Sequence, residues 1–185
     1  YFELEPLVDQ DTILEETDEW RLIRNGAGAT LRWWKNNAGT PEHINFDMAT
    51  RAIWEQKYRP HLLEGDYRRF NDRSGKRWIT RTPEGDREEL NLAKARGQWT
   101  YMGHIGVFDI MRSCLGDLTL YENLVLDPGW IKDFFDVYTQ FLIKHFKALL
   151  ETTGLPDGLW FFDDIAYNKG LFASPKMLRE LLLPY

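Results

Sequence analysis

The chain has 185 residues, 43% hydrophobic and 28% charged, and its 23 basic and 29 acidic side chains give a formal charge of −6 at pH 7. That is enough apolar chain for one real core and too much for a disordered protein. No run of residues approaches the roughly 18–20 apolar positions that span a bilayer, and the acidic balance lacks the cationic surface that phosphate-backbone binding needs, so neither a membrane nor nucleic acid is an expected partner.

The first twenty residues carry Glu3, Glu5, Asp9, Asp11, Glu15, Glu16, Asp18 and Glu19, the reverse of the basic and then apolar layout of a signal peptide. A lone cysteine, Cys114, closes no internal disulfide, which makes a reducing, cytoplasmic setting the expectation. Between residues 19 and 48, short apolar runs alternate with Asn25-Gly26-Ala27-Gly28 and Asn36-Asn37-Ala38-Gly39, and this spacing predicts a three-stranded antiparallel meander. Trp20, Trp33 and Trp34 give it an aromatic face, either packed on a larger body or used as a stacking platform for a ligand.

Thr50 caps a predicted helix through Ala52, Ile53, Tyr58 and Leu62 that ends at Gly65. Residues 66–86 read as a charged loop with a short strand at 78–80. Its basic cluster, Arg68, Arg69, Arg73, Lys76, Arg77 and Arg81, is balanced by acidic neighbours and is either a solvated face or an anion-binding surface. A short helix follows at 86–95.

The second half is more regular. A β-prone run at 99–102 precedes predicted helices at 105–115 and 118–126. Asp127 as N-cap and Pro128 at N1 then start a long amphipathic helix that Gly154 ends. Leu159-Trp160-Phe161-Phe162 has the form of a buried strand, and Ser174-Pro175 opens a last helix. Strand, helix, strand, helix is the alternation of an α/β fold, and the expectation is a partial TIM (β/α)8 barrel with an inserted antiparallel β-meander. A closed barrel needs roughly 250 residues, so residues 1–185 read as one incomplete domain that leaves apolar surface uncovered and does not turn over substrate alone.

The strongest candidates for chemistry are Asp163 and Asp164, two carboxylates where a strand leaves the core. Alternation along the strand sends them to opposite sides. They either handle protons in a cleft or cap the following turn. Tyr167 and Lys169 follow on the same loop as candidate substrate contacts, with Tyr101 a third on the earlier strand. His104 either meets a substrate as acid or base, or is satisfied by the next helix N-terminus. His145, on the apolar face of the long helix, reads as a core residue. No phosphate loop, GxSxG or HExxH motif occurs.

Residues 157–175, Asp-Gly-Leu-Trp-Phe-Phe-Asp-Asp-Ile-Ala-Tyr-Asn-Lys-Gly-Leu-Phe-Ala-Ser-Pro, running on to Leu182-Leu183-Pro184-Tyr185, resemble the uroporphyrinogen decarboxylase superfamily. Trp99-Thr100-Tyr101-Met102, Leu115-Gly116 and Asp127-Pro128 resemble the preceding family segment in order, so that the likeness covers residues 97–185 best. The insert at 19–48 is similar to one in the methyltransferase-like branch. The resemblance implies a barrel cleft with Asp163 at an acidic position and Asp164 as its polar neighbour. His104 stands where decarboxylases have a substrate-contacting tyrosine, a departure that favours methyl transfer involving a corrinoid or thiol over decarboxylation of uroporphyrinogen III. It further implies a tetrapyrrole or corrinoid substrate, with a corrinoid protein as partner, no cofactor held within this segment, and a zinc ion whose ligands fall beyond Tyr185. A non-catalytic protein that binds through the aromatic meander is the alternative outside enzymology.

Overall fold

Alternating side chains interrupted by an Asn-Gly turn fold the first part of the chain into an antiparallel sheet. The computed structural model describes residues 5–7, 11–64 and 83–185. Strands β1 (Thr12–Glu16), β2 (Trp20–Arg24), β3 (Ala29–Trp34) and β4 (Glu42–Phe46) pair in that order, each antiparallel to the next. The meander therefore has one strand more than the sequence predicts. Acidic residues disguise β1: Glu16 is held by Arg21 and Lys35, each at 2.9 Å, and so serves as a pairing strand despite its charge.

One glycine sets how closely this sheet approaches the helices. Gly28 has φ +80°, and a Cβ there would collide with the hydroxyl of Tyr58. Tyr58 is fully buried and donates to Asp47 at 2.9 Å, so a single ring ties the β3 start, the chain after β4 and the helical body together. Helix α1 (Arg51–Ile53), capped by Thr50, runs through a π-helical turn (Trp54–Tyr58) into α2 (Arg59–Glu64). Asp133 receives the Trp54 indole at 2.7 Å and the Arg59 guanidinium at 2.9 Å, which fixes this unit against the long helix.

Helix α3 (Pro83–Ala95) begins three residues earlier than predicted. The basic cluster at 68–81 and the strand expected at 78–80 lie outside the described residues. Strand β5 (Tyr101–Ile105) leads into α4 (Val107–Leu115), α5 (Asp117–Leu126) and α6 (Pro128–Thr153), after which β6 (Gly158–Phe162) pairs with β5 in parallel. Asp157 locks that register by accepting from the backbone N–H of Thr100 at 2.8 Å and from its hydroxyl at 2.7 Å.

The cap and stop signals of α6 act as expected: Asp127 accepts from Trp130 N–H at 3.0 Å, and Gly154 ends the helix. Its buried face carries Ile131, Phe134, Phe135, Tyr138, Phe141, Leu142, His145, Phe146 and Leu149, and this row with α4 forms the centre of the core. Each of its large apolar side chains contributes about 1.5–3 kcal/mol of burial.

The expected partial barrel does not form. Among the described residues parallel pairing is confined to β5 with β6, the other sheets are β1–β4 and the small hairpin β7 (Ala166–Tyr167) with β8 (Gly170–Leu171), and about half of the residues are helical. A barrel needs a helix to return the chain to the next parallel strand each time. Here three helices fill the crossover, and after β6 the chain reverses at Asn168 and Lys169 before α7 (Pro175–Leu181). The architecture is an antiparallel sheet docked on a helical body with one parallel βαβ connection. Strand β6 is also not buried: Phe161 is 53% exposed, because β5 pairs with only one of its edges and α6 covers only part of one face. Among the described residues, no helix is long and apolar enough to cross a membrane.

Candidate functional site

Strands β5 and β6 end side by side, with Ile105 opposite Phe162 and the Gly106 N–H donating to the Phe162 carbonyl. Gly106 is also the N-cap of α4, and it has no side chain with which to cap. Asp163 supplies the missing cap from the other strand. Its Oδ1 accepts from Asp109 N–H at 2.9 Å and its Oδ2 from Phe108 N–H at 3.4 Å. A Cβ at position 106 would stand 2.6 Å from the Asp163 Cβ and closer still to the carboxyl, so only glycine admits it.

Burial pushes the Asp163 carboxyl up to about 6. The two backbone donors and Arg112 favour the charged form, Asp109 opposes it, and desolvation wins. The carboxyl lines a groove of about 550 Å³ bounded by β6, α6 and the C-terminal turn, with Val107, Leu142, Phe146, Leu150, Phe161, Leu182 and Leu183 among its walls. A titrating carboxyl in the lining of a mostly apolar groove can give or take one proton near neutral pH.

Asp164 also meets α4, through a different residue. It pairs with Arg112 at 3.3 Å, and Arg112 also reaches Asp109 at 3.2 Å and Asp117 at 2.9 Å while lying 4.6 Å above the Phe172 ring. Tyr121 and Tyr167 stack on the same ring at 5.3 and 5.8 Å. Burial pushes the Tyr121 hydroxyl up to about 12. Tyr167 is thus tied to a polar cluster that holds the end of β6, and Lys169 sits exposed in the hairpin turn between β7 and β8.

His104 lies within β5 and is fully buried. Its Nδ1 contacts the Ile105 carbonyl, and its ring stands edge-on to Phe146 at 5.9 Å, behind the groove wall. Burial pushes it down to about 4, with His145 adding to the effect, so the imidazole is neutral at pH 7. Tyr101 is on the opposite face of the strand and is 55% exposed. It belongs to a ladder of four rings, Trp99, Tyr101, Trp160 and Phe162, with neighbouring centroids 5.7, 6.3 and 6.1 Å apart. The structure therefore brings Asp163 and Asp164 together with α4, sets His104 behind them and leaves Tyr101 on a separate surface.

Sequence reasoning missed Gly106, Arg112 and Phe172. Gly106 carried a signal, since it follows a strand at a helix start that offers no side-chain cap. Arg112 carried a weaker one in its spacing from Asp109 and Asp117.

Among the described residues no group of three or more His, Cys, Asp or Glu side chains is arranged to hold a metal ion, and Cys114 is buried within the core. No family model matches the chain, and no curated protein and no solved structure matches it either.

Proposed function

We propose that the chain belongs to an enzyme of the uroporphyrinogen decarboxylase superfamily that transfers a methyl group to or from a corrinoid or thiol in the cytoplasm, with Asp163 as its proton carrier. The likeness of residues 157–185 to that superfamily supports the family. The observation that carries the chemistry is Asp163, a carboxyl raised to about 6 in the lining of a mostly apolar groove. When a thiol takes a methyl group its S–H proton must leave, and a carboxylate poised near neutrality accepts it. Asp164, already neutralised by Arg112, keeps the strand end in place.

The test compares Asp163→Asn with Asp164→Asn in the polypeptide that carries this chain, following methyl transfer by the visible spectrum of the corrinoid. Asp163→Asn should lower kcat by about a hundredfold or more, and Asp164→Asn by less than about tenfold. Conversion of uroporphyrinogen to coproporphyrinogen without methyl transfer would move the assignment to decarboxylation. Full activity in Asp163→Asn would end both readings.

A second reading has its own observation. Trp34 is 42% exposed and borders a hollow of about 420 Å³ with Glu19, Asn36 and Asn37, a pairing of aromatic face and amide groups suited to ligand binding without catalysis. Trp34→Ala should then abolish binding of a saccharide panel while leaving methyl transfer absent in both forms.

A further inference from the structure

The groove beside Asp163 has a composition that selects one kind of occupant. Leu142, Ile143 and Phe146 of α6 face Phe161 of β6 across it, and its volume of about 550 Å³ falls in the size range of small-ligand sites. Asp163 is the carboxylate among its lining residues. That carboxylate receives two backbone N–H groups and, among the described residues, no ion-pair partner, because the nearby Arg112 is taken by Asp109, Asp117 and Asp164. A desolvated carboxylate with no direct ion pair, whose nearby cation is engaged elsewhere, is a cost that an arriving cation removes. Two backbone donors leave lone pairs on its oxygens free to accept more.

We propose that this groove binds a hydrophobic amine, with the apolar body between Phe146 and Phe161 and the ammonium on Asp163. The inference stands on the groove itself and holds whichever reaction the chain serves. The alternative occupant is an anionic amphiphile, drawn by Lys147 on the exposed rim. Lys147 is solvated and can turn away, whereas Asp163 is fixed by its cap to α4, so the cation has the better-defined partner. The charged and titratable groups around Asp163 are Asp109 and Arg112 from α4, Asp164 beside it, Lys147 from α6 and Tyr185 from the C-terminal turn. Arg112 is already shared among three carboxylates, which leaves Asp163 to set the pH dependence.

Isothermal titration calorimetry with decylamine, decanoate and decanol, each below its micelle concentration, tests this. At pH 7.5 decylamine should bind at least about tenfold more tightly than the other two, and the preference should fall by about tenfold at pH 5 as Asp163 takes its proton. Asp163→Asn keeps a side-chain oxygen to cap α4 and removes the charge, so it should lose the preference for the amine and stay folded. Ile143→Trp fills the groove from an exposed helix position and should weaken all three ligands. Decanoate binding as tightly as decylamine, no decylamine binding, or decylamine binding unchanged in either variant would overturn the proposal.

Discussion

The carboxyl of Asp163 occupies the space that a side chain at Gly106 would fill, and from there it caps α4. Gly106 has φ −70°, a value open to any residue, so its requirement is one of room and not of backbone conformation. Gly106→Ala should therefore destabilise the fold by about 1–3 kcal/mol through overpacking. Urea denaturation measures it, and a double-mutant cycle with Asp163→Gly should show favourable coupling, because that substitution removes both the Cβ and the carboxyl from the contested space.

The raised carboxyl also links stability to pH. An ordinary aspartate titrates near 3.8 and Asp163 near 6, so between those values the folded chain binds more protons than the unfolded one, and stability falls as pH rises through that window. Asp163→Asn lacks this slope. The difference in unfolding free energy between wild type and variant should shift against wild type by up to about 3 kcal/mol from pH 4 to pH 6.5, and comparing the two cancels the other carboxylates.

Arg112 links three carboxylates and an aromatic ring. Its own side chain is 20% exposed, but Asp164 and Asp117 are 46% and 58% exposed, so on truncation the uncompensated charge is mainly that of Asp109. Arg112→Ala should cost about 1–2 kcal/mol, and Arg112→Lys a smaller part of it, since an ammonium cannot serve several partners in one plane. Thermal unfolding of both variants distinguishes a hub from an incidental surface pair, which would cost under about 1 kcal/mol.

Tyr58 and Gly28 join the meander to the helices. Gly28→Ala combines a left-handed backbone with a collision against the Tyr58 ring and should destabilise by more than about 2 kcal/mol. Tyr58→Phe removes only the bond to Asp47 and should cost about 1 kcal/mol. Hydrogen exchange in β2 and β3 should rise selectively in the first variant.

Helices with terminal signals were legible from the residues: Asp127-Pro128 and Gly154 bracket α6, and Ser174-Pro175 starts α7. Strand β1 was hidden because Thr12, Ile13 and Leu14 run straight into Glu15 and Glu16 within an acidic stretch, and the cations that hold Glu16 lie on later residues. The barrel was over-read from Leu159-Trp160-Phe161-Phe162, since a continuous apolar run looks the same whether covered on both faces or half exposed on both. Of the site, the position of Asp163 and Asp164 just after β6 was legible from the apolar run before them, whereas their common contact with α4 was not. Gly106 was legible as a helix start without a side-chain cap, but not the group that supplies the cap, a carboxyl 57 residues away whose approach only the β5–β6 register fixes.

The central claim is that Asp163 carries a proton that is exchangeable near neutral pH. Selective ¹³C labelling of aspartate carboxyls, with Asp163→Asn to assign the resonance, follows that titration in the folded chain. A midpoint near pH 6 is expected, and a midpoint at or below the ordinary 3.8 would reduce Asp163 to a helix cap and contradict the account.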